Sequence, residues 1–182
     1  MSEKELALSV HLAEYEQLKL EQTHRIGVRD NLIYVMLTVF GTIVSYSLTA
    51  PEHYHALLIL PWAALVLGWT YLLNDKKVSE IRDYIRTILI EKINKNINSN
   101  TSEILRWEHF SAENNFRGLK KYFQLIINLI IFCFSGMTGL VLYLTKVSVL
   151  NNTMITIMLL GATAMLTLAL WFIFYSDTQT QY

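Results

Sequence analysis

The sequence contains little of what most soluble folds are built from. One cysteine among 182 residues excludes a disulfide framework and a cysteine-built zinc site. Two prolines and seven glycines argue against a loop-rich β fold. Charged residues make up only 16% of the chain against 53% hydrophobic residues, and the formal net charge is zero. The charge balance therefore indicates no particular partner, and the composition excludes an ordinary cytosolic enzyme.

What the sequence does contain is four long apolar runs without a single Asp, Glu, Lys, Arg or His. Each is close to or longer than the ~18–20 apolar residues with which a helix crosses a bilayer. A soluble domain of this length cannot bury four such helices. We therefore expect an all-α integral membrane protein whose transmembrane helices lie at residues 31–50, 57–73, 123–145 and 154–175.

Lysine and arginine are distributed unevenly between the segments that flank these runs. Four precede the first run and ten lie between the second and the third, whereas the 51–56 connection has none and the 146–153 connection has only Lys146. Short segments rich in Lys and Arg remain in the cytoplasm. We therefore expect both termini to be cytosolic and the two poorly charged connections to be outer loops.

The polar segments complete the expected domain organisation. We expect a cytosolic amphipathic helix at 1–30, a cytosolic helical hairpin at 74–122 and a cytosolic tail at 176–182. Four apolar residues recur at helical spacing in the hairpin, at Val78, Ile81, Ile85 and Ile88. This spacing predicts an apolar seam for a partner helix.

No catalytic or metal-binding motif is present in the sequence. The HExxH, GxSxG and P-loop patterns are absent, and no group of histidines and cysteines has metal-ligand spacing. The apolar runs also lack the charged residues on which coupled carriers usually depend. We therefore expect a protein that is not an enzyme and that uses neither a metal nor another cofactor.

A polar stripe follows one face of the first apolar run. Its members lie within about 60° of one another at 100° per residue; they are Asn31, Thr38, Thr42, Ser45 and Thr49. Hydroxyl groups suit a weakly selective pore wall, because they offer dipoles without trapping an ion. Serine and threonine are also common where helices pack in lipid. The pattern therefore predicts either a pore lining or a packing face.

A second candidate site combines basic and aromatic residues in the cytosolic hairpin. Such a set suits a nucleotide or an oligonucleotide, because cations bind phosphate while a ring stacks on the base. The candidate ligand-binding residues are Arg82, Arg86, Arg106, Trp107, Arg117 and Lys121. Acidic residues are interspersed among them. The alternative is therefore a salt-bridged helical bundle.

In its layout the chain resembles small multi-span membrane effectors of bacterial anti-phage systems, including SLATT-type domains and the channel subunit of Hailong-type systems. The matching features are the helical stretch through Arg25 and Arg29 into the first run, the short 51–56 loop and the helical 75–121 segment. The resemblance implies a homo-oligomeric ion channel or pore in the bacterial inner membrane that acts in antiviral defence by abortive infection.

It further implies that the channel is nucleotide-gated, with a nucleotidyltransferase as partner protein and the lipid bilayer as its surroundings. The alternative function is a non-conducting membrane scaffold or accessory subunit that recruits a cytosolic partner.

Overall fold

The structure, a computed structural model, describes residues 3–97, 117–147 and 151–178, and every element within them is helical. The first part contains α1 (Glu3–Ser47), a 3-10 helix (Pro51–Ile59), α2 (Leu60–Tyr84), a π-helical segment (Ile85–Leu89) and α3 (Ile90–Ile97). The later part contains α4 (Arg117–Asn128), a second π-helical segment (Leu129–Phe134), α5 (Ser135–Lys146) and α6 (Asn152–Thr178).

Four helical stretches are long and apolar enough to cross a membrane. They lie at Glu3–Ser47, Pro51–Asn96, Tyr122–Lys146 and Asn152–Phe174. The prediction of an all-helical chain with four potential membrane spans is therefore confirmed for the described residues. By length and composition, the chain belongs to the class of multi-pass membrane proteins.

The first long helix ends at Ser47, earlier than the residue 50 expected from the sequence. The N–H groups of Leu48 and Thr49 donate to the carbonyl oxygens of Ser45 and Tyr46 at 3.3 and 3.1 Å, which tightens the last turn. Ala50 is extended, with φ −156° and ψ 152°, as a residue before proline prefers. The expected outer loop at 51–56 is a 3-10 helix that continues to Ile59.

The described residues divide into two compact units, and α1 and α2 contribute residues to both. The first unit comprises 3–29 and 73–97. The second unit comprises 30–72, 117–147 and 151–178.

The core of the first unit is formed by apolar residues of α2, the first π-helical segment and α3. Ile81, Ile85, Leu89, Ile90 and Ile93 are buried there, and Leu8, Tyr15 and Leu18 of α1 pack against them.

The predicted apolar seam is wrong at its last position, Ile88. Val78, Ile81 and Ile85 are buried, but Ile88 is 43% exposed and Leu89 is fully buried. Ile85–Leu89 is π-helical, so its wider turns return the chain to the buried face one residue later than an α-helix would.

The second unit has two apolar cores. One contains Met36 of α1 with the aromatic rings of Tyr71, Phe132 and Phe172, whose exposed fractions are 2% or less. The other joins the 3-10 helix to α5 and α6 through Leu57, Leu58, Leu60, Leu140, Tyr143 and Met158.

Glycine permits the close approach of α5 in the second core. A Cβ atom on Gly139 would lie 2.9 Å from the Leu57 carbonyl oxygen and 2.8 Å from Leu60 Cδ1. The Pro61 ring packs at a comparable distance on Gly161, where a Cβ atom would lie 3.1 Å from Pro61 Cγ. Pro61 is the second residue of α2, directly after the 3-10 helix. These small residues therefore serve packing within the chain.

A polar cluster lies beside the aromatic core of the second unit. The Gln124 Nε2 group donates to Tyr71 Oη at 2.9 Å and to Asn128 Oδ1 at 3.2 Å. Asn128 is only 6% exposed. Since an unpaired polar group is costly in an apolar surrounding, these bonds satisfy groups that would otherwise destabilise the fold.

Candidate functional site

The polar stripe of α1 lies on a face that the rest of the second unit leaves uncovered. Asn31, Thr38, Thr42 and Ser45 of α1 are exposed, and so is Thr49, which lies in the turn just beyond the end of α1. The opposite face of α1 packs against the two cores through Leu32, Ile33, Met36, Phe40, Ile43 and Val44. On a helical projection the centre of the stripe is roughly 160° from the centre of this packed face. The stripe is therefore not a packing face among the residues that the structure describes.

The first apolar helix is also the least covered of the four. Only 6% of its apolar 18-residue window is buried, against 44%, 33% and 22% for the other three. An apolar helix with so few contacts inside its own chain leaves most of its surface to lipid or to another protein copy. The polar stripe occupies the middle of that surface.

Several hydroxyl groups of the stripe bond back to their own helix. Thr38 Oγ1 donates to the Tyr34 carbonyl oxygen at 2.9 Å, and Thr49 Oγ1 donates to the Tyr46 carbonyl oxygen at 2.7 Å. Each hydroxyl group thereby satisfies its single donor while its oxygen remains able to accept a further hydrogen bond. At Thr38 and Thr49 the stripe thus presents acceptor dipoles rather than full charges.

An imidazole stands at the end of the stripe. His53 Nδ1 lies 2.7 Å from Thr49 Oγ1, and the ring stacks on Tyr46 with 4.3 Å between the centroids and 13° between the planes. The neighbouring histidine contacts a different helix, since His55 Nδ1 lies 3.0 Å from Tyr143 Oη of α5. The contact between His53 and Thr49 was not predicted from the sequence. Its only signal is the four-residue spacing across a helix end, and spacing alone does not determine the path of the turn.

Exposed threonine residues also occur on the last long helix, α6. Thr156, Thr163 and Thr167 are exposed on α6 and bond to their own backbone. Asn128 and Ser135 are instead buried. Exposed threonine by itself is thus not special to α1, which is distinguished by the length of its stripe and by its lack of cover.

The candidate ligand-binding residues are only partly described. Arg82 Nε lies 3.3 Å from Asp83 Oδ1, and the half-buried Arg86 makes no ion pair with any described residue. Arg106 and Trp107 lie outside the described residues. Arg117 and Lys121 belong to α4 by their backbone only. The structure therefore brings together only Arg82 and Arg86, about one helical turn apart.

Several other cations of the first unit are matched by acidic partners. Arg25 pairs with Glu21 at 2.7 Å and Arg29 pairs with Asp75 at 2.9 Å. Lys77 donates a hydrogen bond that lowers the pKa of Glu80. The Arg25–Glu21 pair is visible in the sequence as an i,i+4 spacing. The Arg29–Asp75 pair joins distant segments and has no such local signal.

The described residues offer no ready metal centre, because they contain no group of three or more His, Cys, Asp or Glu side chains that could hold an ion. A comparison with protein-family models, curated proteins and solved structures finds no match to this chain.

Proposed function

We propose that the protein is a homo-oligomeric membrane channel in which the polar stripe of α1 lines the conduction path. The observation that carries this proposal is the position of the stripe, exposed along α1 and opposite the face that packs on the chain. A polar surface at the centre of an apolar helix is best placed against water or against copies of itself. Four spans enclose too little space for a pore, so symmetric assembly is required.

The proposed topology places both termini and the first unit in the cytosol of a bacterial inner membrane. The supporting observation is the Lys and Arg asymmetry of the sequence, with fourteen of the 15 cations on one side and only Lys146 on the other. The same arrangement leaves the 3-10 helix at Pro51–Ile59 on the outer side.

The proposed trigger is a cytosolic nucleotide or oligonucleotide, produced by a partner nucleotidyltransferase during anti-phage defence. Arg86 supports this part, since no described acidic residue neutralises its guanidinium group. Opening of such a channel would depolarise the infected cell, which is the logic of abortive infection.

A non-conducting scaffold is the second candidate function. It is favoured by the internal pairing of Arg25 and Arg29, which makes the first unit resemble a self-contained bundle more than an open anion site. In that case the stripe of α1 joins copies of the chain by packing.

Leucine substitutions in the stripe test the proposal. Thr42→Leu and Ser45→Leu should narrow or dewet the path and abolish current across a planar bilayer, while the mass of the purified oligomer stays unchanged. Thr163→Leu is the matched control, because Thr163 is likewise an exposed hydroxyl-bearing residue of an apolar helix but lies on α6. Its current should equal that of the wild type.

Two results would contradict a pore lined by α1. Unchanged current in both stripe variants would remove α1 from the path, and a changed oligomer mass would make the stripe a packing interface. Absence of current from the wild type under every condition would favour the scaffold.

A further inference from the structure

One ring nitrogen of His53 is already committed to the protein. The Thr49 hydroxyl group has a single hydrogen, which it donates to the Tyr46 carbonyl oxygen at 2.7 Å. Thr49 Oγ1 must therefore accept the 2.7 Å hydrogen bond from His53, so the neutral ring carries its proton on Nδ1. Nε2 then holds an unshared electron pair.

The remaining nitrogen is available to a ligand. His53 is half-buried, and Nε2 makes no hydrogen bond to any residue that the structure describes. Stacking on Tyr46 and the bond to Thr49 hold the ring in one orientation. A histidine that binds a metal through one nitrogen usually has the other nitrogen held by a hydrogen bond in this way.

We propose that His53 residues from several copies of the chain together bind a divalent transition-metal ion such as Zn²⁺ at the outer end of the conduction path. The inference rests on the proposed function, because the described residues of a single chain bring only this imidazole to the stripe. His55 is held through its own Nδ1 against Tyr143 of α5, away from the end of the stripe, so the site is assigned to His53 alone. In a symmetric oligomer with α1 innermost, each copy brings the same Nε2 to the same axis.

The chemistry of the outer segment suits a cation. Neutral imidazole is a preferred ligand of zinc, copper and nickel ions. The segment Pro51–Ile59 contains no Lys or Arg to repel an ion, and Glu52 beside His53 contributes a negative charge. A metal ion held there closes the outer mouth and blocks current.

Zinc titration of the current tests this site. Zinc chloride added to the outer chamber should block wild-type current, each protein being normalised to its own current without metal. His53→Gln should raise the half-blocking zinc concentration by at least about 10–100-fold, the loss typical of removing support from a metal-bound histidine. His55→Gln is the control and should keep wild-type block. Equal block in wild type and His53→Gln, or loss of block in His55→Gln, would overturn the assignment.

A binding measurement separates this inference from the proposed function. Equilibrium dialysis of the purified full-length oligomer with zinc chloride should show less than one bound ion per chain, and His53→Gln should remove it. Zinc binding that depends on His53 in a protein without current would retain the metal site and contradict the channel. Current without zinc binding or block would retain the channel and contradict the metal site.

Discussion

Tyr84 donates a hydrogen bond from its hydroxyl group to Glu14 Oε1 at 2.7 Å, which joins α2 to α1 within the first unit. His11 Nδ1 approaches the other carboxylate oxygen of Glu14 at 3.6 Å. The hydrogen bond from Tyr84 lowers the pKa of Glu14 and is the main cause of the raised pKa of Tyr84. Both residues lie outside the four apolar runs, where such pairing contributes to the stability of the unit.

Removal of this hydrogen bond should destabilise the first unit in a pH-dependent manner. We expect Tyr84→Phe to lower the free energy of unfolding by roughly 1 kcal/mol near neutral pH. A carboxyl group with a lowered pKa in the folded state contributes stability above its unfolded pKa, near 4.5, and loses it as the pH falls through the folded value.

The difference between wild type and Tyr84→Phe should therefore shrink on acidification. This difference in free energy of unfolding is measured by chemical unfolding in detergent at neutral and acidic pH, with circular dichroism as the probe. Equal stability of the two proteins at neutral pH would show that the hydrogen bond contributes nothing. A difference in stability that does not change with pH would show that it does not depend on ionisation of Glu14.

The close approach at Gly139 should make that position intolerant of a side chain. Gly139→Ala places a Cβ atom 2.9 Å from the Leu57 carbonyl oxygen. We therefore expect this variant to lower the free energy of unfolding by about 1–3 kcal/mol. Gly27→Ala is the control, because its Cβ atom would meet no atom within 4 Å and alanine favours the helix by up to about 1 kcal/mol. In detergent, the thermal unfolding temperature should fall below that of the wild type for Gly139→Ala and rise above it for Gly27→Ala. A stable Gly139→Ala protein would refute the tight contact.

Membrane topology is testable by cysteine labelling of intact cells. In a Cys133→Ser background, cysteines at the exposed positions Glu52 and Asn151 should react with an impermeant maleimide from outside. A cysteine at Lys95, whose side chain is 73% exposed, should react only after the cells are opened. Labelling at Lys95 in intact cells would reverse the expected orientation.

The proposed trigger predicts different roles for two cations of the first unit. Arg86→Ala should weaken binding of a radiolabelled nucleoside triphosphate or short oligonucleotide. It should also reduce, by about one, the slope of the logarithm of the binding constant against the logarithm of the salt concentration. Lys77→Ala is the matched control, since Lys77 is already paired with Glu80 at 2.6 Å. Filter binding at a series of salt concentrations measures the affinity of each variant and its dependence on salt. Identical affinities for Arg86→Ala and the wild type would leave Arg86 as a structural residue of the bundle.

Local patterns predicted much of the fold because they depend on short stretches of sequence. Length and apolarity were enough for the four potential spans, and helical spacing located Val78, Ile81 and Ile85 in a buried seam. The same spacing misplaced Ile88, because a π-helical turn changes the residue that returns to the buried face. Residues of α1 pack against this segment, and no local pattern records such a contact between distant residues.

The sequence by itself determined that this chain is helical, with four runs apolar enough to cross a membrane, and that one run carries a polar stripe. Helical periodicity depends on bonds between near neighbours, so it can be read from residue order. Only the tertiary structure decided that the described parts of the chain leave the stripe uncovered and that His53 stands at its end. Burial and contacts between distant residues depend on how all the helices pack together, and residue order alone does not specify that arrangement.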